Sequence, residues 1–209
     1  MAGVTTSEAI ERFTVRRGSI LKFNDHGACT ALEGLRCGVH RGRPLACRLY
    51  PLGIERDASG AERFVTLEPA AGSLGVYGDH GTVNDFLDTQ NVGAHLEGND
   101  RYASLLPIYQ ERIAATVDFE RVLPREFWRR AVREALAESG HDPNPLIDAM
   151  FDPDRLGCAR PSDADTISAH IVLLSEMIRS ETNADALAAA AVMLAVSLGY
   201  SPSEVTIDC

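Results

Sequence analysis

Cys29, Cys37 and Cys47 fall within nineteen consecutive residues, in the stretch GACTALEGLRCGVHRGRPLACRLYPLG that runs from Gly27 to Gly53. Thiols this close in sequence can pack as small hydrophobes, exchange as a redox pair, or ligate a metal. Their spacing, C-x7-C-x9-C, matches neither the C-x2-C pairs of a zinc knuckle nor a C-x-x-C redox motif. Their neighbours GAC, LRCG and LACR lack the apolar periodicity that would put all three on one core face. Arg36, Arg41, Arg43 and Arg48 crowd the same segment, with Glu33 opposing them. Guanidinium groups beside thiols favour the thiolate, the form that binds metal; the alternative is a solvated basic loop. His40, between the second and third cysteines, or His26, just before the first, could complete a Cys3His tetrahedron for zinc. An iron–sulfur cluster needs four thiolates or a substitute ligand, and Cys158, in GCARPSD, would have to fold back to supply one.

Other chemistry is faint. GSLGVYG is glycine-rich but lacks the Lys-Ser/Thr of a P-loop and the setting of a dinucleotide fingerprint. No Gly-x-Ser-x-Gly or His-Glu-x-x-His occurs. His170, among apolar neighbours on a helix, reads as a satisfied core or boundary histidine, and Asp79-His80 as a turn.

The chain has 209 residues, 45% hydrophobic, enough for a buried core and for one domain or two small ones. Its net charge of −10 is uneven: residues 1–60 carry nine Lys and Arg against six Asp and Glu, and residues 61–209 eleven against twenty-four. An acidic bulk speaks against a nucleic-acid partner. Nineteen of the twenty cations are arginine, Lys22 being the lysine. MAGVTTSEAIERF has no signal-peptide pattern, and ALAAAAVMLAVSLG is too short to span a bilayer. The expectation is a cytoplasmic protein with reduced thiols and no membrane partner, in which five cysteines do not form a disulfide framework.

These cysteines need a scaffold, and the pattern gives an α+β one: an irregular cysteine-cluster region with short strands, residues 1–98, packed against a mainly helical part, residues 99–209. RFTVRRGSILKF predicts a hairpin around Arg17-Gly18, and LYPLGIERDASGAERFVTLEP a second around Asp57–Gly60. Thr82 and Asp85 predict a capping box opening a short helix. Further on, LPREFWRRAVREALAESG predicts a helix from Pro124 to Gly140, PNPLIDAMFDPD a short one bracketed by prolines, and SDADTISAHIVLLSEMIRSE one that starts at Ser162. NADALAAAAVMLAVSLG predicts a helix from Asn183 to Gly199, joined to its predecessor as a helical hairpin at Thr182-Asn183.

The stretch CTALEGLRCGVHRGRPLACRLYPL resembles the core of the YkgJ-type cysteine-cluster family, the zinc- or iron-chelating domain proteins. The family pattern is a Cys with Leu three on, a second Cys, Arg-Pro, Cys-Arg and an aromatic-Pro. Here those positions are Cys29 and Leu32, Cys37, Arg43-Pro44, Cys47-Arg48 and Tyr50-Pro51. Downstream, GVYGDHGTVNDFLDTQ also resembles the segment after the cluster in some members. The likeness covers residues 10–95, is specific over 29–51, and leaves the helical tail out. Family members carry an earlier cysteine box and a Cys before the glycine-rich loop; this sequence has no such box and reads Pro69-Ala70-Ala71-Gly72 at the loop. That implies a shortened or degenerate member, or a start placed too far downstream. The resemblance implies a metal cofactor, an iron–sulfur cluster or zinc.

The expectation is therefore a cytoplasmic metal-binding protein with Cys29, Cys37, Cys47 and His40 as ligands. The alternative is a metal-free degenerate member acting as an interaction or scaffold protein. A redox or group-transfer enzyme built on the cluster is a third reading, for which the sequence names no substrate.

Overall fold

The computed structural model describes residues 4–15, 18, 20–57, 59–68, 78, 80–116, 144–158 and 162–200. The expected helix from Pro124 to Gly140, most of the glycine-rich loop, Asp79 and Cys209 lie outside them. The fold is α+β: helices together with short antiparallel two-stranded sheets.

The chain opens with α1, Thr6–Phe13, started by a capping box in which the Thr5 side chain takes the Glu8 amide and the Glu8 carboxylate takes the Thr5 amide. The hairpin expected around Arg17-Gly18 forms but is short, because α1 takes the residues before it. Its strands are β1, Thr14–Val15, and β2, Ile20–Leu21. The cysteine stretch then folds as β3, Leu32–Glu33, paired with β4, Arg36–Cys37, followed by a 3-10 turn, His40–Gly42, and α2, Leu45–Leu49. Strand β5, Leu52–Arg56, pairs with β6, Glu62–Thr66, through a turn at Asp57–Gly60, where the sequence places it. The Asp57 carboxylate closes that turn on the Ser59 and Ala61 amides.

From Thr82 the chain is helical wherever it is described, apart from connections. Helix α3, Val83–Gln90, has the expected Thr82–Asp85 capping box and ends on Asn91 in the left-handed conformation. Helices α4, Gly93–Ala103, and α5, Leu105–Thr116, follow. Helix α6, Pro145–Phe151, continues into a 3-10 turn, Pro153–Leu156. Helices α7, Asp163–Ser180, and α8, Ala184–Ser197, start from Ser162 and Asn183, whose side chains accept the first free amides.

Helices α7 and α8 do not form the expected hairpin. Each packs chiefly on α5, which carries Leu105, Tyr109 and Ile113 at helical spacing into the core, so α5 separates the two. The physical reason lies in α8 itself. Ala186 to Ala195 is buried on all sides, and such a helix takes several partners rather than one stripe. The core cluster runs from Leu105 to Leu198 and takes in none of the cysteine region. Among the described residues before Arg56, the buried apolar side chains are Phe13, Ala31 and Leu49. Helix α8 rises about 21 Å at 1.5 Å per residue, and among the described residues no helix is long and apolar enough to cross a membrane.

Candidate metal centre

The three cysteines sit on three different local devices. Cys29 stands in an isolated antiparallel bridge with Phe23, and its carbonyl accepts the Leu32 amide at 3.0 Å, which turns the chain into β3. Cys37 ends β4 directly opposite Leu32. Cross-strand partners put their side chains on the same face, so Leu32 shares a face with Cys37, and Glu33 shares the other with Arg36. On the face opposite Cys37, the Glu33 carboxylate occupies the space that a side chain on Gly38 would need. Cys47 lies in α2, whose entry is set by Pro44.

All three are free and half-buried. Burial pushes the Cys47 thiol above its ordinary range, the Cys29 and Cys37 thiols push it further, and Arg43 pulls the other way. The two thiols that Cys47 feels are thus the two that the sequence groups with it. The fourth expected ligand, His40, is exposed on its 3-10 turn, and His26 is exposed as well. Cys158 is elsewhere, fully buried near Tyr102, whose hydroxyl it helps to push up to about 12 after burial itself. Among the described residues, no group of three or more His, Cys, Asp or Glu side chains is drawn together as a ready-made cage for an ion. Three thiols on one loop are donors of the kind that bind soft metals, without His40 drawn in to close a set among the described residues.

The arginines of the stretch have defined work. The Arg48 guanidinium donates from Nε to the Arg43 carbonyl at 3.1 Å and from Nη2 to the Arg41 carbonyl at 2.7 Å. From Nη1 it donates to the Gln90 carbonyl at 3.1 Å. Three carbonyls on one planar fork are a task for arginine that lysine cannot repeat. Arg43 donates to the Gln90 side-chain carbonyl. Both arginines therefore pin the loop, as their place in Arg43-Pro44 and Cys47-Arg48 suggests.

Three structural anchors escape sequence reasoning. Gln90 anchors the loop from α3. Arg56, only 5% exposed, pairs with Glu62 and Asp100 and lies over the Tyr200 ring at 5.8 Å. Its amide also bonds the Gly199 carbonyl at 2.8 Å, which joins β5 to the end of α8. Tyr102 holds His170: its hydroxyl meets Nδ1 at 2.7 Å while Nε2 meets the Ala149 carbonyl at 2.8 Å. Nε2 must carry the proton to donate to a carbonyl, so Nδ1 accepts from the tyrosine. The expectation of a satisfied core histidine holds.

No family model, curated protein or solved structure matches the chain.

Proposed function

We propose that this is a cytoplasmic metal-binding protein of the cysteine-cluster type, holding zinc or an iron–sulfur cluster through Cys29, Cys37 and Cys47, with His40 as the fourth ligand in the zinc case. The observation that carries the reading is that three free, half-buried thiols, from a bridge, a strand and a short helix, share one loop, with Cys29 and Cys37 near enough to push up the Cys47 thiol. A second observation supports it. The cysteine region has almost no apolar interior of its own, and small units without a core are commonly stapled by metal or disulfide. A bound metal would supply that cross-link.

The scaffold reading draws on one observation of its own. Phe23, Leu32 and Leu35 are exposed, Leu35 at 81%, and Phe23 and Leu32 stand opposite Cys29 and Cys37. That places apolar side chains beside the thiols whether or not a metal is bound.

Metal analysis of protein purified without air separates the two readings: visible colour points to iron–sulfur, and colourless protein with stoichiometric zinc to a Cys3His site. Cys37→Ser is the decisive variant. It should lose metal and raise hydrogen exchange between about residues 25 and 80, with α7 and α8 still protected by their own core. Equal metal content and unchanged exchange in Cys37→Ser would sink the metal reading in favour of the scaffold.

A further inference from the structure

Helix α3 ends on Gln90, and Asn91 then turns the chain left-handed into α4. The last carbonyls of a helix lack intrahelical partners. The Asn91 and Val92 amides take up those of Asp88 and Leu87, and the Gln90 carbonyl is taken up by Arg48. The Gln90 side chain at the same time receives Arg43. One residue at the end of α3 therefore holds two arginines of the cysteine loop, one by its backbone and one by its side chain. Arg48 follows Cys47 directly in α2, a helix of five residues, so fixing the Cys47 sulfur fixes where Arg48 departs. A cation at a helix C-terminus is also favoured by the helix dipole.

Resting on the metal reading above, we propose that Gln90 is a positioning residue for the metal loop, and that metal occupancy is linked through Arg48 and Arg43 to the corner between α3 and α4. Linkage is reciprocal: whatever metal does to order the corner, the ordered corner does for metal affinity. Val92, 2% exposed, is the buried pivot of that corner. His95, in the first turn of α4, lies within the field of the Arg48 guanidinium. Loop and corner are joined by these two arginine contacts beside the packing of α2 on α3.

The test uses the full reduced chain, zinc as the probe, and three variants. In the unsubstituted protein, zinc should slow amide exchange over about residues 27–50 and also over about residues 88–96. Gln90→Leu, which removes the acceptor for Arg43, should bind zinc about ten- to a hundredfold more weakly, as expected for one lost hydrogen bond to a charged donor. It should also lose the zinc-dependent protection of 88–96. Arg48→Lys should show the same pattern more strongly. Gln90→Glu keeps an acceptor for Arg43 and should retain both affinity and protection. Zinc bound with protection confined to the loop overturns the linkage and leaves the metal reading intact, as does wild-type affinity in both Gln90→Leu and Arg48→Lys. Failure of the unsubstituted protein to bind zinc or assemble a cluster overturns the metal reading itself, and the linkage with it.

Discussion

Replacing Arg56 by methionine tests whether the cysteine region is held to the helices by charge rather than by apolar contact. Methionine keeps most of the unbranched stem, so packing volume is roughly conserved and the loss is mainly that of the guanidinium. That group is 5% exposed and serves Glu62 from the β5–β6 hairpin and Asp100 from α4. Breaking a wholly buried pair costs about 3–5 kcal/mol because the orphaned charge stays buried. Here the orphans are 37% and 62% exposed, so both carboxylates can rehydrate, and most of the cost is the lost charge-assisted bonds, discounted for screening. The contact with the Tyr200 ring adds about 0.5–1 kcal/mol. The expected destabilisation is about 2–3 kcal/mol, read from urea unfolding of the full chain, with Asp100→Asn below about 1 kcal/mol because Glu62 remains. An Arg56→Met midpoint within about 0.5 kcal/mol of the unsubstituted protein would refute the reasoning.

His170 gives a pH dependence whose sign is fixed. Burial lowers its pKa from the ordinary 6.5, with Ala149 and Asp152 opposing less strongly, so below about pH 6.5 the unfolded chain takes a proton that the folded chain resists. Stability of the helical part is then complete above about pH 6.5 and lost as pH falls from there towards the lowered folded value. Melting temperatures of His170→Gln should show a flatter slope in that window, and an equal slope in both proteins would count against it. Asn183→Ala removes the acceptor of the Asp185 and Ala186 amides, at 3.0 and 3.2 Å, and should cost about 1 kcal/mol by denaturant unfolding, while a change near zero would show the cap to be idle.

Local chemistry was the legible part of the sequence. Thr82 with Asp85, Ser162 and Asn183 start helices through bonds to residues two or three positions away, and all three act as expected. The β5–β6 hairpin comes from a turn whose Asp57 and Gly60 lie in one short run. Helix α5 was harder, since LLPIYQERIAAT is apolar around most of its circumference and has Pro107 in its first turn, yet Leu105, Tyr109 and Ile113 at i, i+4 and i+8 give its buried stripe. Without α5 in view, α7 and α8 look like natural partners. The Arg56 site was illegible for another reason. An arginine is ordinarily solvated, and the partner that keeps it buried, Asp100, lies 44 positions away. Gln90 is 42 positions from Arg48, and nothing about a glutamine before an asparagine marks it as an anchor.

The two parts of the chain are held by different physics, and the arginine bias of the sequence bears on that. A helical core of Leu, Ile and Ala needs no particular cation, whereas a region of two-stranded sheets is marginal by itself and depends on groups that can bridge several backbone segments at once. Arg48 spans three carbonyls, Arg43 reaches α3, and Arg56 joins β5 to α4 and to the end of α8. A lysine at any of these positions keeps the charge but loses the fork. Composition alone accounts for an excess of arginine, but not for its placement at the seams where the cysteine loop meets α3 and where β5 meets α4. The same seams leave the thiols themselves unbraced. Cys29, Cys37 and Cys47 are positioned by backbone turns and one short helix, and the buried apolar side chains of that stretch, among the described residues, are Ala31 and Leu49. On the metal reading proposed above, an ion taken up by a loop that Arg43 and Arg48 already pin to α3 would leave the helical core as it stands.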